Sequence, residues 1–177
     1  RAVNFQFTIG GSGVLEVELK EKARELGVGN TSRQFPNLEG SENLQGFSLA
    51  GPDFSVRFLG FVPEDEKWDY LNALDIFVFP SLAEGFGISL IEAMAAGCAC
   101  LASDLEVLQE VGGDTVCYFE TKNPKDLAEK LAELIVDKEK REKLTVRAQK
   151  RIEQEYSLEK FWNRYEKLYM GLVSKHE

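Results

Sequence analysis

Two carboxylates flank a glycine-containing turn in the segment Ser81–Gly97, which reads SLAEGFGISLIEAMAAG. Glu84 precedes Gly85-Phe86-Gly87, and Glu92 follows within the next apolar run. A carboxylate that accepts hydrogen bonds from two neighbouring hydroxyls can hold a sugar or ribose diol. The glycines let a backbone approach a ligand closely, and the first amides of a following helix attract a diphosphate. The segment therefore predicts a site for an anionic, hydroxyl-rich ligand.

Both carboxylates also have a structural interpretation. Ser89-Leu90-Ile91-Glu92 matches a capping box, in which the Glu side chain reaches back to a free amide at the helix start. Glu84 could be a solvated loop carboxylate. The spacing of the two residues leaves these alternatives open.

The surrounding pattern alternates short apolar runs with helical stretches, which predicts an α/β fold with a parallel sheet covered by helices. Ligands in such sheets bind beyond the carboxyl ends of the strands, so the loops after the strands are the places to look for chemistry. The predicted strands are Asn4–Ile9, Phe54–Phe58, Asp75–Phe79, Cys98–Ala102 and Thr115–Phe119. The predicted helices are Val14–Leu26, Asp65–Leu74, Ile88–Ala96, Leu105–Val111, Pro124–Val136, Lys138–Tyr156 and Leu158–Val173.

One segment does not fit the alternation. Gly27–Pro52 has few apolar positions and several Gly, Asn and Ser residues. Compact domains rarely contain structureless connections longer than about 15 residues. We expect residues 30–52 to form a long loop or an insertion.

Composition limits the class of partner. The chain has 177 residues, with 30 acidic and 21 basic side chains and a net charge of −9. This balance argues against duplex nucleic acid and against a broad basic membrane patch, since both need excess Lys and Arg. No apolar run approaches the roughly 18 residues of a membrane span, and no leader is visible. Because the chain opens on Arg1 without an initiator Met, we expect a fragment of a longer protein.

Other candidate residues point to structure more than to chemistry. Three cysteines are too few for a disulfide framework, which favours a reduced cytosolic setting. Cys98 and Cys100 are expected in the core, and His176 is the only histidine. No metal cluster is expected. Helical spacing of Phe161, Trp162, Tyr165 and Tyr169 predicts mainly core packing, with part of the stripe exposed and able to drive self-association.

Several short pieces follow one another within Val56–Gly97: Phe58-Leu59-Gly60, Asp75, Pro80-Ser81, Glu84–Gly87 and Glu92–Gly97. In these pieces and their order, the run resembles the family-4 retaining glycosyltransferases of the GT-B fold. The resemblance extends loosely to Val173 and back to Phe5–Gly13. It implies a Rossmann-like nucleotide-sugar-binding domain at 1–156, the C-terminal half of a GT-B fold without its first strand. A helix at 157–177 would then cross back to an absent N-terminal domain.

The resemblance also implies roles for individual residues. Glu84 is the catalytic residue and binds hydroxyls of the donor sugar, while Glu92 holds the ribose hydroxyls. Backbone groups of Phe61 and Val62 bind the base edge. Lys67 stands where some members place a lysine near the base, its alternative being an exposed helix lysine. The donor-binding set is Glu84, Gly85, Phe86, Gly87, Ile88, Glu92, Phe61, Val62 and Lys67.

The implied reaction transfers a hexose from a UDP- or GDP-linked donor to an acceptor, with the anomeric configuration retained. The family needs no enzyme nucleophile, and many of its members need no metal; we expect no cofactor. The sugar or lipid acceptor would bind through the absent N-terminal domain, which is also where peripheral contact with a membrane would lie. A cytoplasmic location, at the inner face of a membrane for a lipid acceptor, follows from the same resemblance.

The chain departs from the family pattern at two places. The Arg and Lys that neutralise the diphosphate after the family's first strand have no counterpart here, and the usual Gly-x-Pro-Val is Gly97-Cys98-Ala99-Cys100. Two alternatives stay open: a non-hydrolysing sugar-nucleotide epimerase-like enzyme, and a non-catalytic nucleotide-binding subunit that needs a partner chain.

Overall fold

The structure, a computed structural model, describes residues 5–25, 28–29, 46–49 and 54–173. These residues form two compact units, 1–67 and 68–177, and each is described by itself. The strands are β1 Phe5–Gly10, β2 Val28–Gly29, β3 Gly46–Leu49, β4 Phe54–Gly60, β5 Ile76–Phe79, β6 Ala99–Ser103 and β7 Cys117–Phe119. The helices are α1 Glu16–Glu25, α2 Glu64–Asn72, α3 Ile88–Ala96, α4 Glu106–Gly112, α5 Pro124–Val136, α6 Lys138–Glu155 and α7 Leu158–Val173.

The first unit contains a four-stranded sheet in the order β1-β4-β3-β2. β1 pairs with β4 in parallel, as predicted, whereas β3 runs antiparallel to both β4 and β2. The strand at Gly46–Leu49 lies inside the segment predicted as a long loop. Its four residues are too few, among Gly, Asn and Ser neighbours, to give a clear apolar period. The other residues of the predicted loop, 30–45 and 50–52, lie outside the described part of the chain.

The core of the first unit is small. Val56 and Phe58 of β4 are buried together with Ala23 of α1, and Phe7 and Ile9 of β1 pack against them. Leu15, just before α1, and Leu19 on α1 are exposed, so the apolar side chains of this region are only partly covered.

The second unit contains a three-stranded sheet, β5-β6-β7, in which every pairing is parallel. β6 lies in the centre, and all five of its residues are buried. Cys100 and Ala102 belong to a cluster built largely by α3, α4 and α6. Leu101 belongs to a separate cluster with Leu134 of α5. Because helices cover both faces, the strand is apolar at consecutive positions, as the sequence predicted.

The last helix behaves differently from its prediction. The structure buries no residue of α7, and its aromatic side chains, among them Trp162 and Tyr169, are exposed. The expectation that this stripe packs mainly in the core is wrong within the described residues, whereas the expected apolar patch is present. An apolar period indicates which face of a helix can be covered but not which surface covers it. Among the described helices, none is long and apolar enough to cross a membrane.

The predicted division of the chain after residue 156 is not tested by this arrangement and stays a prediction.

Candidate functional site

The central candidate segment connects two neighbouring strands of the second unit. β5 ends at Phe79, the loop 80–87 leaves the carboxyl end of the sheet, and α3 returns towards β6. The predicted bounds of α3 are confirmed, and the helix ends at Gly97, whose left-handed backbone lets its amide reach the carbonyls of Ala93 and Met94. Because α3 crosses between adjacent parallel strands, its N-terminus lies at the edge where ligands of α/β sheets bind.

Glu84 is folded onto its own loop. Its Oε1 accepts hydrogen bonds from the amide of Gly85 at 2.9 Å and the amide of Phe86 at 3.4 Å. The side chain is half-buried, so the carboxylate has a defined orientation. Its second oxygen has no recorded hydrogen-bond partner within the described residues. The simple reading of Glu84 as a solvated loop carboxylate therefore misses two contacts that orient it.

The two glycines of the turn meet different structural requirements. Gly87 has φ of 92°, and a Cβ there would lie 2.8 Å from Cδ2 of Leu108. Gly85 has no described atom within 4 Å of a Cβ built on it. The fold needs Gly87, whereas the side of Gly85 is open to an approaching ligand.

The start of α3 carries no side-chain cap. Gly87 is the N-cap residue, in the left-handed conformation, and the helix begins at Ile88. Ser89 is therefore inside the first turn, and Glu92 is too far along the helix to serve as the third residue of a capping box. The capping-box alternative is wrong. The first-turn amides, including those of Ile88 and Ser89, lack intrahelical acceptors by the geometry of an α-helix.

Apolar side chains surround this loop. Phe86 is 50% exposed, and its ring meets the ring of Tyr156 edge to face, with centroids 6.3 Å apart. Ile88 is also exposed. Sequence analysis did not predict the contacts from Tyr156 and Leu108. No local spacing signals them, because they come from α4 and the end of α6.

The predicted base-binding residues lie in the first unit. β1 and β4 end side by side, with Gly10 paired to Gly60, and the amide of Gly11 donates to the carbonyl of Gly60 at 2.6 Å. A Cβ on Gly10 would lie 3.2 Å from Cγ2 of Val62. The unit thus brings the glycine-rich turn after β1 against the Phe61-Val62 segment after β4, and Phe61 is exposed.

Lys67 is more covered than an exposed helix lysine. Its side chain is 23% exposed, and its Nζ lies 2.6 Å from Oε1 of Glu64. Lys67, Phe61 and Val62 belong to the first unit and residues 84–92 to the second.

The remaining candidate residues are the cysteines and His176, and the cysteines, all of which the structure describes, give no indication of a catalytic or metal site. Burial, and to a smaller extent the negative charge of Asp75, raises the pKa of the Cys98 thiol to about 11. Burial also raises the pKa of the Cys100 thiol. Both thiols therefore stay protonated at neutral pH. His176 lies outside the described residues. Within the described part of the chain, no cluster of three or more His, Cys, Asp or Glu residues has the arrangement of a metal site.

Comparison with known proteins gives the family. The sequence model of the family described as glycosyl transferases group 1 matches residues 48–151. An N,N'-diacetylbacillosaminyl-diphospho-undecaprenol alpha-1,3-N-acetylgalactosaminyltransferase of Campylobacter jejuni is 39% identical over 160 residues, 88% of this chain and 39% of that protein. The serotype-specific mannosyltransferase WbdA of Escherichia coli is 36% identical over 80 residues, 45% of this chain and 10% of that protein. The chain thus spans well under half of either relative.

Solved structures agree on the fold. The C-terminal domain of LpcC, a glycosyl transferase group 1 family protein of Francisella tularensis, has a TM-score of 0.62 at 22% identity, covering 88% of this chain and 89% of that one. Anabaena Alr3699/HepE has a TM-score of 0.66 at 20% identity, covering 94% and 40%. The predicted α/β fold of the GT-B type is confirmed, and the chain belongs to the glycosyl transferases group 1 family.

Proposed function

We propose that this chain binds a nucleoside-diphosphate sugar and forms the donor-binding part of a retaining hexosyltransferase. The observation that carries the proposal is the loop at the carboxyl end of β5. An oriented carboxylate, Glu84, stands directly before a helix whose first-turn amides have no side-chain cap. The carboxylate suits sugar hydroxyls and the amides suit phosphate oxygens, so one short segment offers both halves of the recognition.

The roles follow from the chemistry of each group. The second oxygen of Glu84 accepts hydrogen bonds from hydroxyls of the donor sugar. The amides at the start of α3 bind the diphosphate, with Gly85 leaving room for it. Glu92 holds the ribose diol, and the backbone of Phe61 and Val62, with Lys67, reads the base.

The reaction breaks the bond between the anomeric carbon and the diphosphate oxygen, and the bonding electron pair leaves with the diphosphate. A bond forms between the anomeric carbon and the acceptor oxygen on the same face, which retains the configuration. The acceptor proton passes to the departing phosphate oxygen. In this account the chain stabilises the growing negative charge through preorganised amides and holds the reacting groups close together.

The donor and the acceptor are proposed only at the level of chemical class. The Campylobacter relative is named for transfer of N-acetylgalactosamine to a diphospho-undecaprenol-linked acceptor, and WbdA for transfer of mannose. We propose a hexose or N-acetylhexosamine linked to UDP or GDP as the donor, and a glycan or lipid as the acceptor. A cytoplasmic site of action, at the inner face of a membrane for a lipid acceptor, is part of the proposal.

Calorimetric titration tests the proposed roles separately. UDP, UDP-N-acetylgalactosamine, GDP and GDP-mannose would be titrated into the wild type and into Glu84→Gln, Glu92→Gln and the exposed control Glu153→Gln. Hydrogen bonds to a charged group are worth roughly 1.5–3 kcal/mol, which is about tenfold to a hundredfold in affinity. Glu84→Gln should weaken the sugar nucleotide that binds but spare its free nucleotide, whereas Glu92→Gln should weaken both.

The control removes one carboxylate charge away from the loop and should bind like the wild type. Absence of binding by all four ligands would contradict the proposal, as would equal losses of affinity in all three variants.

A further inference from the structure

We propose that Tyr156 is a positioning residue for the loop that carries Glu84. Tyr156 caps the end of α6, where its amide donates to the carbonyl of Ile152 at 2.9 Å. Its ring is half-buried against the cluster formed mainly by α3 and α4. From this place it contacts the loop directly through its ring and supports it indirectly through α4. The proposal rests on the proposed function for its consequence, a change in donor affinity.

The direct contact is with Phe86. The two rings meet at an interplanar angle of 68° with centroids 6.3 Å apart, within the range of favourable edge-to-face pairs. Phe86 lies between Gly85 and Gly87, two residues that restrict the backbone little by themselves. The amide of Phe86 also donates to Glu84. Holding the Phe86 ring therefore restricts the peptide units that orient the Glu84 carboxylate.

The indirect support passes through the carboxyl end of α4. The hydroxyl of Tyr156 donates to the carbonyl of Val111 at 3.4 Å, and Nε of Arg151 donates to the same oxygen at 2.7 Å. α4 also supplies Leu108, which is fully buried and lies against Gly87. Tyr156 thus contacts the turn itself through the ring of Phe86. Through its hydroxyl it also contacts α4, whose Leu108 lies against Gly87.

The two contacts use different atoms of one side chain, so substitutions can separate them. Tyr156→Phe removes the hydroxyl and keeps the ring, while Tyr156→Leu removes both. The ring pair is the closer link to the loop, so Tyr156→Phe should restore the properties lost in Tyr156→Leu. Ile152→Ala is a matched control, since Ile152 packs on the same cluster one turn earlier and is not a member of the ring pair with Phe86.

The experiment measures backbone ¹⁵N order parameters in the free protein and the calorimetric affinity for two sugar nucleotides, UDP-N-acetylgalactosamine and GDP-mannose. In Tyr156→Leu the amides of residues 85–88 should become more mobile, and the affinity for the sugar nucleotide that binds should fall about two- to tenfold, as expected for loss of an aromatic pair. Ile152→Ala should lower the melting temperature without either change. Phe86→Leu removes the same ring pair by a change at an exposed position, so it should also make these amides more mobile. It provides the test if Tyr156→Leu does not fold.

Unchanged order parameters at 85–88 in both Tyr156→Leu and Phe86→Leu would overturn the positioning role. So would the same mobility in Ile152→Ala, which would show a general effect of weakened packing. If the wild type binds neither sugar nucleotide, the proposed function fails while the order parameters still decide whether Tyr156 holds the loop.

Discussion

The helices α3 and α7 both have an apolar face, yet the structure treats them in opposite ways. In α3, Leu90, Ala93 and Met94 are completely buried. In α7, no residue is buried, although its face carries larger aromatic side chains. The difference follows from the connection that each helix makes. α3 joins two adjacent parallel strands, β5 and β6, and such a crossover has to lie on the sheet.

This contrast shows why the candidate loop sits at the start of α3. A helix fixed on the sheet along its length gives its first turn a defined position, which a binding site needs. The amphipathic pattern of α7 provides no such constraint. The crossover connection thus accounts for the burial of α3, whereas an amphipathic pattern by itself does not bury α7.

The largest expected effect sharpens the comparison directly. Leu90→Ala in α3 should lower the free energy of unfolding by about 2–5 kcal/mol, because it opens a cavity in a fully buried cluster. Leu168→Ala in α7 makes the same chemical change at an exposed position and should cost less than about 0.5 kcal/mol. Urea denaturation of both variants measures the difference. Equal losses would mean that α7 is covered to the same extent as α3.

A smaller effect distinguishes the two glycines of the turn. Gly87→Ala should destabilise the protein by about 1–3 kcal/mol, because its backbone is left-handed and the new methyl group would meet Leu108. Gly85→Ala has open space and should leave stability within about 0.5 kcal/mol of the wild type. The same variant should weaken binding of the sugar nucleotide, since the methyl group occupies the side left for the ligand. Thermal unfolding and calorimetry of both variants test these expectations. Equal losses of stability in the two variants would contradict the distinction between the two glycines.

The smallest expected effect concerns the carboxylate of Asp104, which directly follows β6 at the carboxyl end of the sheet in the second unit. Hydrogen bonds from the Thr121 hydroxyl at 2.6 Å and the Thr121 amide at 2.8 Å hold the pKa of Asp104 below its usual range. Because the folded-state pKa is lowered, this stabilisation is present above the usual Asp pKa and is lost as pH falls through the lowered value.

Asp104→Asn should therefore reduce the melting temperature slightly at about pH 7 and by a smaller amount at about pH 3. Melting curves across this range measure the change. An equal reduction at both pH values would show that the ionised form of Asp104 does not contribute.

Much of this architecture could be predicted from the sequence. The continuous apolar run of β6 and the glycine that ends α3 are strong local signals, and both elements lie close to their predicted bounds. β3 was missed because four residues carry little periodic signal. The start of α3 at Ile88 was predicted correctly, whereas the capping-box alternative at Ser89 is wrong because the N-cap residue is Gly87.

The support of the loop could not be predicted at all. Tyr156 and Leu108 reach the loop through tertiary packing of α6 and α4, and no spacing in the sequence relates them to Phe86. The stripe on α7 had the opposite problem, since a strong pattern predicted burial that the fold does not provide. Local patterns thus determine elements well, and contacts between distant elements only poorly.

The most direct test of the donor-binding account is a titration of the chain with UDP, GDP and ADP, followed through its backbone amides by NMR. We expect one nucleotide to shift the amides of residues 85–89 and 92, with a second set at residues 61–67 that identifies the base. Saturation by a nucleotide that leaves the amides of residues 85–92 unmoved, or no binding by any of the three, would contradict the account.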